Sequence, residues 1–299
     1  MSLAHPRING ARSLREVTLA KESAMIRRIL LGLCGTPYTP FAIARAVELA
    51  RQLEAEITGV TVVDVRRLGQ IGPVPLGASE SARELREFRL EVAQDDVERA
   101  AEEFSTACHK AGVPHVLRRE EGDPFALMAS SARYHDLMIF GLKSLFEHHV
   151  VTEPHDALIR LISSGVRPLL AVTADARPIE KILIAYSGSM ESAKTMKYLA
   201  QLRLWPKAKV RVVTFSHMPD EAEQLIGDAV EYLQKHGFEP DGDYVPTSPR
   251  HDLLPYAAKW GADLIVAGNS AKNLLRRHVF GETSLHLITT SDRPLFLAQ

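Results

Sequence analysis

The sequence contains one pattern twice, and that repeat constrains the fold more than any composition figure. IRRILLGLCGT at 26–36 lies on IEKILIAYSGS at 179–189 without a gap. Each stretch is a basic or mixed-charge pair, a short apolar run and a glycine turn, the pattern of a buried strand ending in a tight loop. The far ends match as well. ARYHDLMIFG at 132–141 resembles AKWGADLIVAG at 258–268, and RPLLAV at 167–172 resembles RPLFLA at 293–298. Two copies of one domain follow, joined by TADARP at 173–178, with residues 25–173 as the first unit and 178–299 as the second. Residues 1–24 read as a flexible leader.

Within the first copy, strands at 26–33, 57–64, 113–118, 136–140 and 169–172 alternate with helices near 40–55, 80–111, 123–134 and 153–163. The second copy repeats that order, with strands near 181–186, 209–215, 241–245, 263–267 and 294–298. Such alternation requires right-handed crossovers onto a mainly parallel sheet covered by helices on both faces. The expected fold is therefore α/β, two tandem open five-stranded sheets flanked by helices. A Gly- and Pro-rich insertion near 66–86 lengthens the first copy, and the pattern from 80 to 111 reads either as one exposed helix or as two. Trp205 and Trp260 lie beside apolar helical stripes and read as packing residues.

Thirty-six Lys and Arg against thirty-seven Asp and Glu leave a net charge of -1, so no overall field draws the chain to nucleic acid or an anionic membrane. Two cysteines, Cys34 and Cys108, exclude a disulfide scaffold or a four-cysteine metal site and fit the cytoplasm. No apolar run approaches the roughly 18 residues that span a bilayer. His148, His149 and His155 lie close in sequence but match no ligand spacing, so no metal site is expected from them. GxxxxGK and GxSxG segments are absent, and Asp263 reads as a structural residue at an element's end.

In an open parallel sheet, ligands collect at the carboxyl ends of strands. Three pieces of the second copy should meet there: Ser187, Gly188 and Ser189; the end of the strand at 209–215; and the segment AGNSAKNLLRRHVFGETS from residue 267. Gly268 permits close backbone approach. Gly281 permits a turn into a final helix whose free N–H groups, near Thr283 and Ser284, suit phosphate oxygens. Lys272, Arg276 and Arg277 add positive charge between them.

The element order, the duplication and this glycine segment resemble the tandem universal stress proteins, over roughly residues 26–299. The resemblance implies an adenine-nucleotide α-hydrolase-like fold and a cytoplasmic binding or regulatory module in stress response. It also implies pairing of the two units through their last strands as a pseudo-dimer within one chain, with an unidentified protein or further copies of the chain as partners. The nucleotide-binding branch of that family carries Gly, two residues, Gly, nine residues, Gly and a small residue. Here the pattern falls on Gly268, Ala271, Gly281 and Glu282.

Two departures weaken the implied site. Ala271 costs roughly 1 to 2 kcal/mol where a left-handed backbone is needed. Glu282 costs on the order of 3 kcal/mol per unit of phosphate charge at about 5 Å and an effective dielectric near 20, and it can occupy the helix N-terminus itself. Where relatives place an Asp after the first strand, this chain has Ser187 in one copy and Cys34 in the other, each followed by a glycine, Gly188 or Gly35. In the first copy Gly141 is kept, but Ser144 and Pro154 stand where glycines are expected. The expected ligand is thus weakly bound ATP or none, held by Ser187, Gly188, Ser189, Gly268, Ala271, Gly281, Thr283 and Ser284. The competing reading is an ATP-binding protein with weak hydrolysis or phosphotransfer through the second copy.

Overall fold

The structure, a computed structural model, describes residues 26–63, 78–142, 168–175, 177–268, 286–287 and 290–298. The first half runs β1 (Arg28–Leu33), α1 (Thr39–Leu53), β2 (Glu56–Val63), α2 (Ser79–Ala111), β3 (His115–Glu121), α3 (Pro124–Ala132), β4 (Leu137–Gly141) and β5 (Leu169–Val172). The second runs β6 (Lys181–Ala185), α4 (Met190–Leu202), β7 (Lys209–Phe215), α5 (Pro219–Lys235), β8 (Pro240–Val245), α6 (Pro249–Trp260), β9 (Leu264–Gly268) and β10 (Leu295–Ala298). The stretch 80–111, open between one helix and two, lies in a single helix of 33 residues, Ser79–Ala111.

The ten strands among the described residues form one sheet in the order β3-β2-β1-β4-β5-β10-β9-β6-β7-β8. Each half therefore has the same internal order, and every pairing is parallel except β5 with β10, where Leu295 faces Ala171 and Leu297 faces Leu169. The two five-stranded sets meet at their last strands as one continuous sheet. Burial on both faces explains the unbroken apolar runs. In β1, Ile29, Leu31 and Leu33 enter one core while Leu30 enters the other; in β6, Ile182 and Ile184 face the first core and Leu183 the second. The first core lies under α1, α2, α4 and α5, and the second receives α3 and α6.

The duplication reaches individual hydrogen bonds. Asp136 Oδ2 accepts the N–H groups of Arg27 and Arg28 at 2.9 and 3.1 Å. Asp263 Oδ2 accepts those of Glu180 and Lys181 at 3.0 and 2.9 Å. Each carboxylate ties the start of β1 or β6 to the strand beside it, which gives Asp263 the structural role its position suggested. Side chains also link the halves. Arg45 of α1 is 4% exposed, and its guanidinium donates to Arg177 O at 2.6 Å and to Glu48 at 2.5 Å. Gln52 Nε2 donates to Leu204 O at 2.9 Å.

Trp205 is buried in the first core, as a packing residue should be. Trp260 is partly exposed, with Arg211 stacked on its ring at 5.1 Å. Arg211 also donates to Asp241 and to Tyr256, whose hydroxyl bonds Asp243. Burial, then the Asp243 bond, pushes the Tyr256 phenol up to about 12.

Candidate functional site

In each half the sheet order reverses direction between its first and fourth strands: β1 pairs with β2 on one side and β4 on the other, and β6 with β7 and β9. Crossovers leave in opposite directions there, opening a crevice at the strands' carboxyl ends. Ser187, Gly188 and Ser189 follow β6 and Gly268 ends β9, so the structure brings these four to one switch point. Ala271, Gly281, Thr283 and Ser284 lie outside the described residues, together with Lys272, Arg276, Arg277 and Glu282. The same holds for Ser144, Pro154, His148, His149 and His155 of the first half.

Three hydroxyls form the floor of the second-half site. Ser189 is the N-cap of α4, and its Oγ accepts the Ser192 N–H at 3.2 Å. Ser192 Oγ gives its proton to Ser189 O at 2.9 Å and stands 3.2 Å from Ser189 Oγ. Ser187 Oγ lies 3.1 Å from Ser189 Oγ and 3.4 Å from Ser192 Oγ. Ser192 is 4% exposed, whereas Ser187 faces solvent. The cluster offers one exposed neutral hydroxyl, pre-oriented by two others at a helix N-terminus, and no charge of its own. Ser192 was not among the residues singled out from sequence, although the Ser189-x-x-Ser192 spacing of an N-cap was there to find.

The neighbouring strand end is tied in. Thr214 Oγ1 donates to Tyr186 O at 3.0 Å, and Ser216 Oγ accepts the Met218 N–H at 3.0 Å before α5 begins. Met190 and Met218, at the starts of α4 and α5, are both exposed. Burial first, then the charge of Asp228, holds the Tyr186 phenol above its ordinary range, so it stays neutral.

The glycines have structural reasons of their own. Gly188 has φ +70°, and a side-chain carbon there would meet Leu225 of α5 at 2.6 Å. At Gly268 an added carbon would stand 2.4 Å from Ser192 N and 2.5 Å from Glu191 C. The first turn of α4 thus rests directly on the end of β9, a contact that requires glycine with or without a ligand.

The first half is built differently at the matching place. Gly35 has φ +64°, and the space beside it is filled by the backbone of Asp96 in α2. The hydroxyls after this turn point inward: Thr39 Oγ1 accepts the Thr36 N–H at 3.0 Å, and both threonines are buried. Cys34 keeps partial surface exposure, but dense packing around its sulfur pushes the thiol up to about 11, so it is neutral at physiological pH. Gly141 is buried in register with Val172. From its contact with Gly35, α2 runs back from Asp96 to Ser79, about 25 Å at 1.5 Å per residue. Leu85, Phe88 and Val92 are exposed on that stretch.

Among the described residues no three His, Cys, Asp or Glu side chains gather as a metal site, and no helix is long and apolar enough to cross a membrane.

The Universal stress protein family profile matches residues 25–157 and 218–299, well over half of the chain. Universal stress protein Slr1230 of Synechocystis is 22% identical over 283 residues, 90% of this chain and 99% of its own length. A universal stress protein from Archaeoglobus fulgidus superposes with a TM-score of 0.66 at 15% identity, covering 91% of this chain and 96% of that one. A Pseudomonas aeruginosa structure described as a putative universal stress protein gives 0.58 at 16% identity, with 93% and 94% covered. The repeated strand order, with its switch point in each half, and these matches agree, and the chain belongs to the universal stress protein family.

Proposed function

We propose that this chain is a cytoplasmic stress-response module of two units, 25–173 and 178–299, that binds or regulates rather than catalyses, with nucleotide affinity weakened in both halves. The observation that carries this reading is the chemistry at the two strand ends. Ser187, two residues past the end of β6, is exposed, and the residue after β1 is Cys34, whose thiol burial pushes up to about 11. Neither offers the carboxylate that the nucleotide-binding branch of the family uses. A neutral hydroxyl contributes about 0.5 to 1.5 kcal/mol through a hydrogen bond, whereas a charged acceptor contributes about 1.5 to 3 kcal/mol. Ser187 at the head of α4 therefore supports a weak adenine-nucleotide contact in the second half, and Cys34 supports a weaker one in the first.

The test is calorimetric titration of ATP, with and without magnesium, into the full chain and its Ser187→Asp variant. The variant should bind about tenfold more tightly, the equivalent of about 1.4 kcal/mol, because a carboxylate then faces the base at a helix N-terminus that favours negative charge. Tight binding by the wild type that weakens in S187D would overturn the reading. Steady phosphate release from ATP by the wild-type chain would favour the hydrolytic alternative instead.

A further inference from the structure

Helix α2 is longer than the fold requires. Its counterpart in the second half, α5, spans 17 residues, whereas α2 spans 33. The part that follows Asp96 packs on the sheet, with Ala100, Ala101, Phe104 and Cys108 buried. The turns before Asp96 run on beyond the contact with Gly35 and have no equivalent in the other half.

Those turns are exposed on most sides, yet they are not uniformly polar. Leu90, Ala93 and Val97 are half-buried and continue the core face of the helix. Leu85, Phe88 and Val92 are 40%, 63% and 42% exposed. Phe88 precedes Val97 by about two and a half turns, so this second apolar stripe points directly away from the core. Its i, i+3, i+7 spacing is that of a helix-pairing seam.

The charges beside the seam are sorted. Glu84 and Glu91 line one edge, Arg89 stands at the other, and Asp95 takes the next seam position after Val92. Neighbouring acids are already matched: Arg83 pairs with Glu80 at 2.5 Å and Glu87 at 3.7 Å, Arg99 with Asp96 at 3.0 Å, and Arg119 with Glu98 at 2.7 Å. Glu84, Glu91 and Asp95 have no ion-pair partner among the described residues. A second copy of α2 meets this edge poorly. An antiparallel pair sets Glu84 against Glu91 of the copy, and a parallel pair gains Glu84 against Arg89 but sets Glu91 against Asp96.

From these observations we infer that the exposed stripe of α2 docks an amphipathic helix of a partner protein whose apolar face is flanked by Lys or Arg. Phe88 is the anchor, with Leu85 and Val92 on either side of it. The partner's basic edge lies along Glu84 and Glu91, and a cation at the end of its apolar face reaches Asp95. From Leu85 to Val92 the seam is about 12 Å long, which suits a reversible contact rather than a permanent one.

The test titrates the full chain into two fluorescein-labelled peptides of three heptads, followed by fluorescence anisotropy at low salt. Both peptides carry Leu at the two apolar positions; one has Lys at the flanking positions and the other Glu. The wild type should bind the Lys peptide at least about tenfold more tightly than the Glu peptide. Phe88→Ala should weaken the Lys peptide at least about tenfold, and Glu84→Gln combined with Glu91→Gln should remove most of the preference between the two. Tyr134→Ala truncates a ring that is 71% exposed elsewhere and should leave binding unchanged. Because Phe88 faces away from the core, F88A should melt and sediment as the wild type does. Equal binding of the two peptides, or undiminished binding by F88A, would overturn the inference. So would a wild-type oligomer that F88A dissociates, which assigns the stripe to a second copy, or a melting temperature lowered by F88A with no peptide bound by the wild type, which assigns it to the chain's own packing.

Discussion

Replacing Gly268 with alanine separates two reasons for a glycine at the end of β9. The added carbon would stand 2.4 to 2.5 Å from backbone atoms of Glu191 and Ser192, none of which is the tip of a flexible side chain. Ordinary carbon contacts begin near 3.5 Å, so the first turn of α4 must retreat by about 1 Å. That turn is held by the Ser189 cap, and further along α4 Thr195 Oγ1 donates to Ala298 O at 3.1 Å. Retreat disturbs the joins of α4 to both β9 and β10. The expected loss is about 3 kcal/mol, the upper range for overpacking, or about 5 to 10 °C in melting temperature for a chain of this size. Gly227 is the control. It lies inside α5 with nothing near its missing side chain, so Gly227→Ala should stabilise by about 0.5 to 1 kcal/mol. Both variants are melted without nucleotide. If G268A melts within a degree of wild type, the packing account fails, and Gly268 is there for ligand approach.

The twin carboxylates predict twin effects. Asp136→Ala and Asp263→Ala each remove an acceptor of two backbone N–H groups and should each cost about 1 to 2 kcal/mol by urea unfolding, additively because they serve different strands; a cost at one site and none at the other would break the equivalence. His135 predicts a pH dependence. It is 4% exposed, with Nδ1 on Ser131 O and Nε2 on Thr58 Oγ1. Burial, the largest cause, lowers its pKa despite the Ser131 bond. The folded state then binds this proton less readily than the unfolded one. Its contribution is full above the unfolded value near 6.5 and is lost as pH falls through the lower folded value. His135→Asn should flatten the decline in stability as pH falls below about 6.5, and an unchanged slope would count against it.

Particular residues show where the sequence was legible. β1 and β6 could be read because both are buried on two faces, so their apolar runs are unbroken, and the Asp136 and Asp263 positions could be aligned because each precedes a matching strand. β3 was less legible. Residues 113–118 read as strand, but Val113 and Pro114 belong to the turn that closes α2, and the strand continues through Arg118, Arg119 and Glu120 as a charged sheet edge. Arg45 carried no reading from the sequence, and only the fold reveals its burial and the Arg177 carbonyl that accepts from it. Gly268 is a case of one letter with two causes, since its packing partner Ser192 is distant in sequence and no local pattern separates a glycine beneath a helix from one beneath a phosphate. The Ala271 to Ser284 part of the candidate site falls outside the described residues.

The antiparallel seam between β5 and β10 has an evolutionary consequence. An assembly of two identical subunits receives every substitution twice, so a change that suits one pocket is imposed on the other. Here a single covalent chain supplies both sides of the seam, and each half can drift alone. The differences already present follow that freedom: a neutral thiol at one strand end and a serine cluster at the other, and a 33-residue helix opposite one of 17 residues. One covalent chain makes of a symmetric architecture one whose two ends can answer to different selective pressures.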